Sequence, residues 1–137
     1  MSVIGIDLGG TNIRAGIVTK GNLGNVLSAK VKKEGSADEV IDSIFELIDQ
    51  LKQSTLEIEG IGIGVPSVVD VKQGIVYDVQ NIPSWKEVRL KDLMENRYAL
   101  PVYINNDANC FAAGEKYFGK AKQYENAIGL IIGTGLG

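Results

Sequence analysis

Apolar residues recur along this chain in short β-branched runs, interrupted by one stretch of strongly helical spacing. Val3 to Leu8 is such a run, stopped by Gly9-Gly10, and it predicts a buried strand ending in a turn. Ile13 to Thr19 and Val26 to Lys32 predict two further strands. Gly21-Asn22 and Gly24-Asn25 supply turn chemistry between them, so the first three strands form an antiparallel meander. Ser36-Ala37-Asp38-Glu39 has the spacing of a capping box. Behind it Val40, Ile41, Ile44, Phe45, Ile48 and Leu51 repeat with helical period, which predicts an amphipathic helix to about Gln53. Ile58 to Val65 is again strand-like, with Gly60, Gly62 and Gly64 on one face, where another backbone or a ligand can come close.

Val68 to Val79 reads as a hairpin around Gln73-Gly74, followed by a polar loop, 80–86, that carries the only tryptophan. Leu90 to Tyr98 predicts a short helix, Val102 to Asn105 a strand, Ala108 to Tyr117 an alanine-rich helix, and Ala127 to Ile132 a last strand. This order predicts an α/β fold with an antiparallel flap on an otherwise parallel sheet. The octets beginning at Ile4 and Ile128 share Ile-Gly, three mostly apolar residues and a Gly/Thr turn. That likeness suggests a second, related domain starting near the C-terminal end, with 1–125 as one lobe and 126–137 as the first strand and turn of another.

Composition narrows the chemistry. The 137 residues suit one domain with a real core, and 45% apolar with 23% charged residues is a globular balance. With no histidine, Ser-His-Asp and Cys-His machinery is excluded. The single cysteine, Cys110, excludes an intrachain disulfide and a Cys/His zinc site; in its alanine-rich helix it reads as a buried, inert thiol. A net charge of −3 argues against nucleic acid as a partner. No apolar run approaches membrane-spanning length and no leader pattern is seen, so the expectation is a cytoplasmic protein with no membrane contact.

Three places carry candidate chemistry. In Asp7-Leu8-Gly9-Gly10-Thr11-Asn12 the paired glycines can turn backbone N–H groups toward an anion, and Asp7 could hold Mg²⁺ through water. The turn is neither a P-loop nor a dinucleotide fingerprint; its bland reading is a plain hairpin with Asp7 bonded to the loop. Asn106-Asp107 sits at a strand tip where a helix begins. Capping explains it fully, yet a carboxylate there also faces the crevice where open α/β sheets bind ligands and could act as a general base. Gly133-Thr134-Gly135 is a second Gly/Thr turn, weak alone and stronger when paired with the first. Trp85 is either a packing anchor or a carbohydrate-facing ring.

Taken together, IGIDLGGTNIRAGIV, GIGIGVPSVVD with QNIPSW downstream, NNDANCFAAGE and IGLIIGTGLG resemble the bacterial sugar kinases of the ROK family (repressor, open reading frame, kinase), its glucokinases in particular. The resemblance implies a ribonuclease H-like lobe of the actin/hexokinase type, a mixed sheet with three antiparallel N-terminal strands and helices on both faces. It implies Asp107 as catalytic base on the 6-hydroxyl of a hexose, glucose foremost. Asn106, Pro66, Ser67 and Asn81 would approach the sugar; Ser67 stands where family members mostly carry glycine. It also implies that Gly9, Gly10, Thr11 and Asn12, with Gly133, Thr134 and Gly135, hold the phosphates of ATP, with Mg²⁺ near Asp7. The family pattern runs on into a sugar clamp, a zinc motif and the adenine pocket, none of which this sequence contains. The expectation is therefore an N-terminal lobe, inactive alone and prone to homo-oligomerise. The alternative within the same family is a sugar-sensing transcriptional regulator. Its usual helix-turn-helix segment before the phosphate motif is not seen, and it often loses the Asp-Gly-Gly-Thr pattern that stands here.

Overall fold

Alternate residues of the first apolar run point to opposite faces of a strand, and that alternation sets the architecture. In β1 (Ser2–Leu8) Ile4, Ile6 and Leu8 are buried, whereas Asp7 is exposed on the other face. The computed structural model describes residues 1–54, 57–79 and 82–132. After β1 come β2 (Asn12–Thr19), β3 (Asn22–Lys30), α1 (Ala37–Lys52), β4 (Ile58–Val65), β5 (Val68–Asp70) and β6 (Ile75–Tyr77). They are followed by β7 (Glu87–Val88), α2 (Leu90–Tyr98), β8 (Val102–Asn106), α3 (Asp107–Tyr117) and a 3₁₀ turn at Lys120–Gln123.

The main sheet has the order β3-β2-β1-β4-β8. β2 runs antiparallel to both of its neighbours, β1 and β3, and β4 and β8 run parallel to β1, which makes the sheet mixed as expected. α1 packs its buried Val40, Ile41, Ile44, Leu47, Ile48 and Leu51 on the isoleucine face. Full burial of each such side chain stabilises by about 1.5–3 kcal/mol, so this face holds the fold together. The Ser36–Glu39 capping box closes in both directions, the Ser36 N–H donating to Glu39 Oε2 at 2.9 Å. α2 lies beside α1, docked by Arg97 and the Tyr98 hydroxyl, which both donate to Asp49. Burial pushes the Tyr98 phenol up to about 12. α3 meets the opposite, glycine face at its end, its first turn seated against Gly64 of β4. Among the described residues no helix is long and apolar enough to cross a membrane.

Four expectations about strands and turns need correction. β3 starts at Asn22, not Val26, because Lys20 (φ 51°) and Gly21 (φ 81°) alone form the two-residue hairpin turn. Gly24-Asn25, read as a second turn, is a bulge inside β3: the register passes from Gly16↔Val26 to Val18↔Leu23, setting two residues against one. Ala127 to Ile132 forms no strand beyond a single bridge residue at Ile132. Among the described residues it joins neither sheet, and Ile128 and Ile132 stand 94% and 83% exposed. The polar loop, 80–86, also ends in an unforeseen strand. β7 pairs with β6 to complete a small antiparallel sheet, β5-β6-β7, which rises from the end of β4.

Candidate active site

Parallel strands present their C-terminal ends on one edge of a sheet, and β1, β4 and β8 end together here. The register places Asp7 opposite Gly64 and Gly64 opposite Asn105, while Arg14 pairs with Asp7 from β2. One row on the glycine face therefore reads Arg14, Asp7, Gly64, Asn105. Gly64 matters because it has no side chain: a Cβ there would lie 3.5 Å from both Asp107 Cα and Cys110 Sγ. α3 can thus seat its first turn on the sheet, which brings Asp107 toward Asp7.

The start of α3 is held by side chains. Asn106 is its N-cap, its Oδ1 accepting from the N–H groups of Ala108 (2.9 Å) and Asn109 (3.3 Å), while its Nδ2 donates to the Ser67 carbonyl at 3.2 Å. Asp107 Oδ1 accepts from the Ala108 N–H at 2.8 Å, which leaves the second carboxylate oxygen without a partner among the described residues. Ser67, expected at the sugar, turns its hydroxyl to the Tyr77 carbonyl of β6. Its main chain, not its side chain, therefore faces the α3 cap. Pro66 precedes it at the end of β4, half-buried. A cleft of about 390 Å³ opens beside this point, walled by Ser67, Val68 and Val71 on one side and Asn105, Asn106 and Asn109 on the other. A larger hollow of about 540 Å³ lies between α3 and residues 124–130 and contains none of the candidate residues.

The β1–β2 turn closes through the Gly9 N–H, which donates to Asn12 O at 2.9 Å. The N–H groups of Gly10 and Thr11 find no acceptor among the described residues, as suits an anion-holding turn. Among the described residues no group of three or more His, Cys, Asp or Glu could hold a metal ion. A single carboxylate such as Asp7 suits Mg²⁺ only where water and phosphate oxygens complete the shell. Asn81, Gly133, Thr134 and Gly135 lie outside the described residues.

Partial desolvation beside α3 raises the Asp7 carboxyl above its usual 3.8, although the side chain remains exposed; Arg14, 3.8 Å away, pulls it down and Asp107 pushes it up again. A carboxyl raised in the folded state contributes stability that is complete below its unfolded value and is lost as pH rises through the folded one. Ionised Asp7 therefore burdens the fold at neutral pH. Asp7→Asn should raise the thermal midpoint at pH 7 and lose that advantage on acidification toward pH 4, which calorimetry at the two pH values checks.

Cys110 was expected to be buried but is exposed, because α3 buries none of its residues. Its thiol is nevertheless raised by desolvation, then by Asp107 and Asp7. Alkylation by iodoacetamide at pH 8 should be slower than for free cysteine and should speed up in Asp107→Asn, which removes one of the opposing charges. Arg14, Asn105 and Asn109 were not singled out from the sequence. Arg14 could have been, since a turn at Gly9-Gly10 fixes its pairing with Asp7; the two asparagines gain meaning only from the cap geometry.

The pattern that defines the ROK family matches residues 3–137. The glucokinase of Thermotoga maritima is 35% identical over all of this chain, which spans 43% of that protein. The xylose repressor of Bacillus subtilis is 38% identical over 98% of the chain and 35% of its own length. A ROK family glucokinase from Streptomyces griseus, solved with glucose and AMPPNP, superposes with a TM-score of 0.90 at 35% identity, over the whole chain and 43% of that structure. The chain thus spans less than half the length of these relatives. On the match from Val3 to Gly137, together with the shared fold, this chain belongs to the ROK family.

Proposed function

We propose that this chain is the N-terminal lobe of an ATP-dependent hexose kinase that phosphorylates a sugar, glucose foremost, at its 6-hydroxyl. The lobe boundary near residue 126 and the use of ATP with Mg²⁺ belong to the same proposal. The observation that carries it is the approach of Asp7, at the end of β1, and Asp107, at the start of α3, across Gly64 of the intervening β4. In this reading the free oxygen of Asp107 accepts the proton of the sugar hydroxyl as phosphoryl transfer proceeds. Bound ATP and its metal supply the phosphoryl group and neutralise its charge. The N–H groups of Gly10 and Thr11 and the Thr11 hydroxyl donate to phosphate oxygens, beside Gly9 and Asn12. Asp7 holds the metal through water, and Arg14 stands beside it with a second positive charge. In the same proposal Pro66, Ser67, Asn81 and Asn106 serve the sugar, Gly133, Thr134 and Gly135 serve the phosphates, and the chain alone is inactive.

The likeness to the Bacillus subtilis xylose repressor favours a second reading, a sugar-sensing regulator. A sensor needs the sugar cleft but no base. A coupled ADP-release assay on the full-length protein across a panel of hexoses separates the two: turnover that requires ATP and Mg²⁺ supports the kinase, and sugar binding without turnover supports the sensor.

A further inference from the structure

Asp107 lies on the first residue of α3, so its direction is only as fixed as that first helical turn. The turn is tied down by a chain of asparagine carboxamides whose first member has no role in the reading above. Asn105 Oδ1 accepts the Asn106 N–H at 2.8 Å and the Asn109 Nδ2 at 3.1 Å. A backbone N–H can only donate, so the atom facing Asn106 must be the oxygen, and the orientation of the carboxamide follows from that bond. The two bonds straddle Asp107, one from the residue before it and one from a residue two positions after it. Asn105 is also the residue opposite Gly64 in the sheet register, and Gly64 is what α3 rests on. The end of β8 thereby grips the helix from the same point at which the sheet supports it.

We propose that Asn105 is a positioning residue for Asp107: its side-chain oxygen, held in register by β8, fixes the helical turn that aims the carboxylate. This inference rests on the kinase reading. Asn106 cannot perform the task alone, because its own oxygen is spent on Ala108 and Asn109 within the helix and its amide on Ser67. It caps the turn and ties it to Ser67 beyond β4, but it leaves the Asn109 side chain, one turn into the helix, to be held by Asn105. A methyl group at residue 105 would leave two donors without their acceptor and let the turn rotate on the sheet.

The test uses Asn105→Ala, Asn105→Asp, which retains an acceptor oxygen, and Asn109→Ala, which removes one donor from an exposed position. Steady-state kinetics are measured on the full-length protein, together with hydrogen exchange at the Asn106 amide. Asn105→Ala should speed that exchange at least about tenfold and lower kcat about tenfold to a hundredfold, the scale of a small misplacement of a catalytic group, with hexose KM within about twofold. Asn105→Asp should restore both at the top of its pH profile, and Asn109→Ala should show a smaller loss in the same direction. Wild-type kcat in both alanine variants, unchanged exchange in Asn105→Ala, or failure of Asn105→Asp to restore turnover would overturn the proposal. Those results leave the kinase reading standing wherever Asp107→Asn is inactive; turnover that survives Asp107→Asn sinks the kinase reading and the positioning role together.

Discussion

Asp107→Asn in the full-length protein is expected to lower kcat for hexose phosphorylation by about 10²–10⁴-fold, the range for loss of a general base. The substitution is nearly isosteric, and an Asn oxygen can still accept the Ala108 N–H that Asp107 Oδ1 accepts at 2.8 Å. What disappears is the second oxygen's ability to take a proton, together with one negative charge at the N-terminus of α3. The charge itself is worth about 0.3–1 kcal/mol of helix stability, so the variant should fold and melt within a few degrees of the wild type. Hexose KM should change only a few-fold, because Asn106, Ser67 and the β4 end are untouched. A coupled assay with saturating ATP gives kcat and KM separately. Wild-type turnover in this variant would remove the base from the mechanism. A protein that never turned over but bound sugar equally well in both forms would be a sensor.

The elements that could be read from the sequence are those whose signals are local. The Ser36–Glu39 capping box needs only four residues, and it closes in the structure as its spacing predicts. The isoleucine spacing of α1 and the strand alternation of β1 are equally local, and both bury the faces they mark. Signals with two physical meanings were harder. Gly24-Asn25 has turn chemistry, but the same permissive backbone serves a bulge, and only the pairing of β2 with β3 decides between them. Ala127 to Ile132 has strand composition, yet a strand exists only where a neighbour pairs with it. At the candidate site, Asp7 stands out as a carboxylate beside a Gly-Gly turn and Asp107 as one at a strand tip where a helix begins. Asn105 did not, because an asparagine before an N-cap has no distinctive chemistry until the register sets it opposite Gly64. The capping reading of Asn106 and the base reading of Asp107 are compatible, since adjacent residues divide the two tasks.

Trp85 poses the same choice, packing anchor or ligand-facing ring, and the structure resolves it toward packing with a large predicted cost. The side chain is completely buried, and its Nε1–H donates to the Ala37 carbonyl at 3.3 Å, the first residue of α1. Its backbone closes the loop on both sides: the Trp85 N–H donates to Ile82 O at 2.9 Å, and the Val79 N–H donates to Trp85 O at 3.1 Å. One ring therefore pins the loop between β6 and β7 onto the end of α1 that the capping box also fixes. Trp85→Ala should cost about 3–5 kcal/mol, from lost transfer energy plus the cavity left behind. That is a large part of the 5–15 kcal/mol typical of a whole domain, so the variant should be partly unfolded at 37 °C. Trp85→Phe keeps most of the volume and loses the bond to Ala37, for a cost of about 1–3 kcal/mol, and it remains folded for measurement. Urea unfolding followed by far-ultraviolet circular dichroism measures both. A Trp85→Ala midpoint equal to the wild type would mean that the loop is not anchored through this ring.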